Sequence, residues 1–407
     1  MHSYSFMLLT GQRRLKMRRI YMDHAAGMPV DERVLEAMMP YFTQNIGNVS
    51  SAHFFGNEAR RAIDEARSKV AELIGAEKKE EIVFTSGGTE SNNLAIKGVA
   101  NRNRDKGNHI ITSSIEHMSV VNTCKHLGKQ GFKITYLPVD KYGIIDIEAL
   151  KKEITDKTIL VSTMYANGEI GTIQPIKEIG EIAHSKGAFF HVDAVAAAGQ
   201  VPIDVQDENI DLLSLSSNDM YGPRGIGALY KKTGTRILPI IHGGGQERGL
   251  RSGTENLSGI VGMGRAAEIA KANMAAEAER LSKLRDKFIK GALDSIPESY
   301  LNGHPTKRLP SNVNVRFSYI EGESLILSLD MEGVACSSGS ACTSKTLEPS
   351  HVLLAIGLAH EDAHGSLLFT LGRQNTEEDI KYVLGLLPSI VKRLRAISPL
   401  TPKELVT

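Results

Sequence analysis

Apolar residues in the first two thirds of the chain alternate between short continuous runs and stretches with helical spacing. The runs predict buried strands at 81–85, 109–113, 133–138, 159–163, 189–193, 212–216 and 227–230. Amphipathic stretches between them, such as 59–74 and 176–186, predict helices. This alternation predicts an α/β fold, a mostly parallel mixed sheet covered by helices on both faces. Ligands of such sheets bind at the carboxyl ends of the strands.

The pattern changes after a long predicted helix at 257–291. Beyond it we expect strands at 312–317 and 366–371 and helices at 324–330, 349–356 and 377–395, which together indicate a smaller α+β domain. We therefore predict a large domain at 29–276 and a small domain formed by 17–28 and 277–407. The first twenty residues place an apolar run before a basic cluster, the reverse of a secretory signal. Because regular patterning begins at about residue 18, we expect residues 1–16 to be a disordered extension or to come from a start codon upstream of Met17.

The composition argues against two classes of protein, binders of polyanions and disulfide-stabilised proteins. The 48 basic and 47 acidic residues give a net charge of +1, so no overall field favours nucleic acid or an anionic membrane as a partner. Cys124, Cys336 and Cys342 are too few for a disulfide framework, which favours a reducing, cytoplasmic location.

One stretch of small residues, CSSGSACTS at 336–344, predicts a mobile loop that carries Cys342. A cysteine on such a loop can ionise and react, although these residues alone equally allow an incidental cysteine. Cys124 lies in a helical pattern and is expected in the core. Cys336 is expected to pack under the loop.

Several candidate site residues follow predicted strands. The sequence SGGTESNN at 86–93 opens a helix, so it favours either a phosphate cradle that uses Thr89 or simply a helix start. His117 also stands at a helix start, where capping or core packing is the plainer interpretation. Asp193 ends a buried strand and needs a cationic or N–H partner. Thr254 lies in a glycine-rich loop suited to a partner or a phosphate. The sequence HEDAH at 360–364 is expected to be a solvated turn.

These elements resemble the cysteine desulfurases of the IscS/NifS type, in the class-V aminotransferase family of fold-type-I pyridoxal-phosphate enzymes. The resemblance covers about 20–395 and rests on the motifs TSGGTESNNLAIKG, EH, NGEIG, HVDA, YGPRGIGALY, GGGQERGLRSGTEN and SSGSACTSKTLEPSHVL. It implies a homodimer with two sites at the subunit interface.

The resemblance also implies roles for individual residues. Gly88, Thr89 and Ser216 would hold the cofactor phosphate, and Thr254 would reach in from the other subunit. His117 would stack on the pyridine ring, and Asp193 would pair with the ring nitrogen.

In the same family, Cys342 would attack the sulfur of substrate cysteine. This reaction leaves alanine and a persulfide, which then passes to an IscU-type scaffold protein.

The chain departs from the family where the cofactor is bound covalently. Family members have histidine and lysine at the positions of Asn218 and Asp219, and the lysine forms the Schiff base. A carboxylate cannot form that bond, although Asn218 remains a candidate cofactor contact. Ala196 and Gly168 replace a glutamine and an asparagine, and Leu368 replaces the arginine that grips the substrate carboxylate.

Three functions remain open from the sequence. In the first, Cys342 carries sulfur from another source or ligates a 2Fe–2S cluster shared with the scaffold, with any pyridoxal phosphate bound noncovalently. The second is an active pyridoxal-phosphate cysteine desulfurase. The third is an enzyme that uses pyridoxamine phosphate. We favour the first, because Asp219 removes the covalent link.

Overall fold

The computed structural model describes residues 18–339 and 349–405, so the extension expected at 1–16 and Cys342 lie outside the described residues. Strands in chain order are β1 (Ile20–Tyr21), β2 (Ile82–Thr85), β3 (His109–Ser113), β4 (Lys133–Leu137), β5 (Thr158–Met164), β6 (Phe189–Asp193), β7 (Leu212–Ser216), β8 (Gly227–Lys231), β9 (Ser299–Leu301), β10 (Asn312–Phe317), β11 (Val334–Ala335) and β12 (Ser366–Thr370). Helices are α1 (Glu32–Met38), α2 (Pro40–Thr43), α3 (Phe54–Leu73), α4 (Gly88–Arg102), α5 (Met118–Lys129), α6 (Ile147–Glu153), α7 (Ile176–Ser185), α8 (Leu257–Ser295), α9 (Gly322–Met331), α10 (His351–Ala355), α11 (His360–His364) and α12 (Glu377–Ile397).

The central sheet confirms the predicted mixed α/β architecture. Its seven strands run in the order β2-β8-β7-β6-β5-β3-β4. Neighbours from β7 to β4 are parallel, whereas β8 is antiparallel to both β2 and β7. Each predicted strand of this sheet is present, with ends that differ by no more than one residue.

Helices cover both faces of this sheet because successive strand residues point to opposite sides. On β3, Ile111 packs into a cluster with residues of α3, α7 and α8, whereas the adjacent Ile110 packs into a second cluster with α4 and α5. Both isoleucines are fully buried. The continuous apolar runs in the sequence therefore reflect strands that are buried on two sides.

A third apolar cluster lies on a smaller sheet of order β12-β10-β9. It joins Phe317 and Phe369 of that sheet to Phe288, in the C-terminal half of α8, and to Met22. Strand β1 reaches this region by pairing in parallel with β11, Ile20 opposite Val334. The domain boundaries given above remain predictions.

Short helices were predicted wrongly or were not predicted from the sequence. The turn predicted at 360–364 is the single-turn helix α11, in which Glu361 and Asp362 lie at the N-terminal end and His364 at the C-terminal end, the arrangement that complements the helix dipole. Helices α1, α2 and α6 were not predicted. Among the described residues, every helix is too short or too polar to traverse a lipid bilayer.

Candidate functional site

A cavity of about 330 Å³ opens at the carboxyl ends of β2, β6 and β7. Six of the residues predicted from sequence line it together with Asp219: Gly88, Thr89, His117, Asp193, Ser216 and Asn218. The structure thus brings these residues together, and their roles as cofactor ligands remain a prediction. The position agrees with the general rule for ligands of parallel sheets.

The N-terminus of α4 forms one wall of the cavity. Gly87, which precedes the helix, has φ 152°, a value that favours glycine. A Cβ atom added to Gly88 would lie 2.5 Å from Cγ2 of Val195, so a side chain at this position would close the cradle. The first N–H groups of a helix lack intrahelical acceptors, which suits this wall to an anion.

The Asp193 carboxylate occupies the end of β6 and is 6% exposed. Its Oδ2 accepts a hydrogen bond from Nδ2 of Asn92 (2.6 Å), and its Oδ1 accepts one from the backbone N–H of Val195 (3.1 Å). Burial raises the pKa of Asp193, and the nearby His117 opposes this rise. The required N–H partner is therefore Asn92, a residue that the sequence reasoning missed.

Asn92 could have been found from its spacing, because it lies three residues after Thr89 on α4 and hence on the same helix face. Its Oδ1 has no hydrogen-bond partner among the described residues, although the side chain is only 1% exposed. An unpaired buried amide oxygen at a cavity is a group that a ligand can satisfy.

His117 both caps a helix and lines the cavity, so the structural and the functional interpretations hold together. Its Nδ1 accepts a hydrogen bond from the backbone N–H of Ser119 (3.1 Å) at the start of α5. The Ser119 hydroxyl lies 2.7 Å from the same nitrogen and accepts a hydrogen bond from Asn92 (2.8 Å). This chain of contacts ties His117 to the amide that also holds Asp193.

Asp219 lies in a 3-10 turn, Asn218–Met220, directly after β7. Burial raises the pKa of Asp219 to about 6, hydrogen bonds from Ser216 and Asn218 oppose this rise, and the negative charge of Asp193 adds to it. The carboxyl group therefore stands in the cavity at the place where family members carry the amine of a lysine.

The other departures from the family pattern widen the site and remove a positive charge. Gly168 and Ala196 line the same cavity, and a Cβ atom added to Gly168 would lie 3.5 Å from that of Ala196, in ordinary van der Waals contact. Leu368 is 3% exposed and lines an adjoining cavity of about 370 Å³.

The adjoining cavity is lined by three acidic side chains to which the sequence reasoning gave no role, Asp23, Glu116 and Glu169. Burial raises the pKa of Glu116 to about 8 and that of Glu169 to about 7. Oε1 of Glu116 accepts hydrogen bonds from the Ser113 hydroxyl (2.5 Å) and the backbone N–H of Met164 (3.0 Å).

Two predicted site residues are not part of this cavity. Thr254 is exposed and does not line it, and its expected contact with the pocket of a partner subunit stays a prediction. Cys342 lies outside the described residues. The predicted burial of Cys124 and Cys336 is confirmed, and burial raises the pKa of each thiol to about 12.

Residues 20–383 match the family model of class-V aminotransferases. The chain is 59% identical over 380 residues to "Cysteine desulfurase IscS 1" of Archaeoglobus fulgidus, which covers 93% of this chain and 99% of the relative. It is 58% identical over 387 residues to "Cysteine desulfurase IscS" of Methanosarcina thermophila, with 95% of each chain covered. The solved structure of a NifS-like protein superimposes with a TM-score of 0.87 at 39% identity, covering 93% of this chain and 100% of that one.

Proposed function

The chain belongs to the class-V aminotransferase family, in its IscS/NifS group of cysteine desulfurases, and on that basis we propose that it supplies a thiol for iron–sulfur cluster assembly. In this proposal a homodimer docks an IscU-type scaffold protein. Cys342 then ligates a 2Fe–2S cluster that is forming on the scaffold, or its thiolate takes the outer sulfur of a persulfide donor, whose own thiolate leaves, and carries that sulfur to the scaffold.

The family implies a pyridoxal-phosphate cofactor, and the cavity fits part of that molecule. Gly88 and Thr89 would hold the phosphate, Asp193 would hold the ring nitrogen, and the unpaired Oδ1 of Asn92 offers a further polar contact. When bound, the protonated ring supplies an electron sink.

The covalent link of the family does not fit the cavity. Asp219 takes the place of the lysine, and a carboxylate cannot form the link or return the cofactor from one amine to another. We therefore assign no step of desulfuration to the cofactor, and we regard any binding of it as noncovalent. This carboxyl group in the cofactor cavity is the observation on which the proposal depends.

The attachment of the thiol-bearing segment supports delivery to another molecule. Ser337 pairs with Leu368 of β12, and the Ser350 hydroxyl donates a hydrogen bond to Oε2 of Glu169 (2.8 Å). Both serines line the adjoining cavity, so the described residues on the two sides of the segment that contains Cys342 lie close to one another. We propose that the Cys342 thiolate completes an iron coordination sphere begun by three ligands of a scaffold.

The test is anaerobic reconstitution of a cluster on an IscU-type scaffold with iron and sulfide, followed by absorbance. We expect the wild-type chain to raise the yield of cluster in the complex and Cys342→Ala to abolish that gain. Cys336→Ala is the matched control, since its buried thiol disfavours the thiolate, and it should behave as wild type. An undiminished yield with Cys342→Ala would rule the proposal out.

A further inference from the structure

The cavity is lined by two carboxyl groups, and the one positive side chain that acts on them among the described residues, His117, compensates Asp193 and leaves Asp219 without such a partner. Asp193 and Asp219 both line it, and the charge that acts on Asp219 from the described residues is that of Asp193, also negative. The hydrogen bonds that Asp219 accepts come from the neutral side chains of Ser216 and Asn218. A buried pair of like charges is costly, so the cavity as it stands favours a ligand that brings positive charge.

The start of α4, by contrast, favours a negatively charged group of the ligand. There Gly88 and Thr89 present the beginning of a 15-residue helix to the same cavity, which favours an anion. The unpaired and buried Oδ1 of Asn92 lies next to these residues and accepts a hydrogen bond but cannot donate one. The ligand that complements the cavity therefore has an anionic group at one end and N–H donors with positive charge elsewhere.

We propose that the cavity takes pyridoxamine phosphate, the primary-amine form of the cofactor, in preference to the aldehyde form. The two forms share the phosphate and the pyridine ring and differ only in the group that family members attach to lysine. Beside the carboxylate of Asp219, an ammonium group gains a charge-assisted hydrogen bond, whereas an aldehyde oxygen meets another acceptor. Asp193 pairs with the ring N–H in both forms.

The wider space at this point accommodates the change. An ammonium group on a methylene carbon is tetrahedral and needs more room than a planar aldehyde. Gly168 and Ala196 provide that room, because both line the cavity and both lack the amide side chains that family members carry. The replacements at 168, 196 and 219 thus all favour the amine form of the cofactor over the aldehyde form.

This inference rests on the proposed assignment of the cavity as the cofactor pocket, and it does not involve the Cys342 thiol. Its test is titration calorimetry of the full chain, freed of ligand, with three probes: pyridoxamine phosphate, pyridoxal phosphate and 4′-deoxypyridoxine phosphate. The third probe has a methyl group in place of the amine or aldehyde. It therefore measures the contribution of the ring and phosphate alone.

We expect pyridoxamine phosphate to bind about tenfold or more tightly than the deoxy probe, as for a buried charge-assisted pair, and pyridoxal phosphate no more tightly than the deoxy probe. Asp219→Asn keeps the shape and removes the charge, so it should reduce the preference for the amine to about twofold or less. Asp105→Asn, at an exposed turn, is the control and should leave all three affinities unchanged.

Equal affinity for the amine and the aldehyde, or a preference that survives in Asp219→Asn, would overturn the inference. Failure of the deoxy probe to bind would overturn it together with the assignment of the cofactor pocket. Neither result bears on the cluster assay with Cys342→Ala, so the two proposals fail separately.

Discussion

The Asp219 carboxyl group binds its proton more tightly in the folded chain than in water, because burial disfavours its charge and Asp193 lies nearby. Its pKa rises from the ordinary value of 3.8 to about 6. The folded state therefore binds more protons than the unfolded state between these two values, and the free energy of unfolding must fall as pH rises through that interval.

Asp219→Asn should remove this loss. At pH 3 or below the variant and the wild type should have equal free energies of unfolding, whereas at pH 7.5 the variant should be more stable by up to about 3 kcal/mol. Urea unfolding of the ligand-free proteins at both pH values, at one protein concentration, measures the difference. If the variant were less stable than the wild type at pH 7.5, the conclusion that the fold disfavours the ionised form of Asp219 would be wrong.

Part of the site at this scale could be predicted from sequence. Gly88, Thr89 and Asp193 stand at the ends of apolar runs, and a parallel sheet brings such ends to one edge. The unpaired oxygen of Asn92 and the raised pKa values of Glu116 and Glu169 could not be predicted. They depend on which atoms from distant segments reach or fail to reach each group, and a linear pattern does not contain that information.

The long elements were predicted well because each repeats its apolar spacing over several turns or strand residues. Helix α8 was expected at 257–291 and extends from Leu257 to Ser295, and β6, β7 and β10 have the predicted bounds. By contrast, β1 and β11 are two residues long and exist only through their mutual pairing. Such short strands leave no periodic signal.

The crossing of α3 and α8 depends on a close approach at Gly264. A Cβ atom added there would lie 2.5 Å from Cα of Ala66, a backbone atom that cannot move alone. We expect Gly264→Ala to lower the free energy of unfolding by about 1–3 kcal/mol through overpacking. Chemical denaturation with a fluorescent or circular-dichroism signal measures this change.

Gly385 in α12 is the matched control, since a Cβ atom there has no neighbour within 4 Å. Gly385→Ala should raise the free energy of unfolding by about 0.5–1 kcal/mol, the difference in helix propensity. If both alanine variants gained stability, the close packing of α3 on α8 would have to be rejected.

At the scale of the whole molecule, a buried ion pair connects the glycine-rich loop to α3 and β2, which lie far from it in the sequence. Arg67 donates hydrogen bonds to both carboxylate oxygens of Glu247, at 2.8 and 2.7 Å, and the backbone N–H of Phe84 donates a third at 2.9 Å. Glu247 and Arg248 both adopt positive φ, at 45° and 57°. These contacts hold an otherwise unfavourable backbone in the loop that carries Thr254.

Glu247→Ala should therefore cost about 3–5 kcal/mol of stability, because it leaves the Arg67 guanidinium buried without its partner. Since Thr254 is expected to reach the other subunit, the variant should also weaken the proposed dimer, which sedimentation equilibrium would show. Glu148→Ala breaks the exposed Lys151 pair and should change both quantities little. If Glu247→Ala dimerised as tightly as the wild type, the loop that carries Thr254 would not contribute to the dimer interface.

Strand β1 lies beside the point where the thiol-bearing segment leaves the small sheet. Tyr21 pairs with Ala335, the residue before Cys336, and Met22 donates a backbone hydrogen bond to the same alanine at 2.8 Å. Tyr21 is 41% exposed. If the proposed scaffold docks at this segment, an affinity tag fused just ahead of residue 18 would place its bulk close to the docked protein, and a small fluorophore attached at position 21 would report on docking without modifying the thiol.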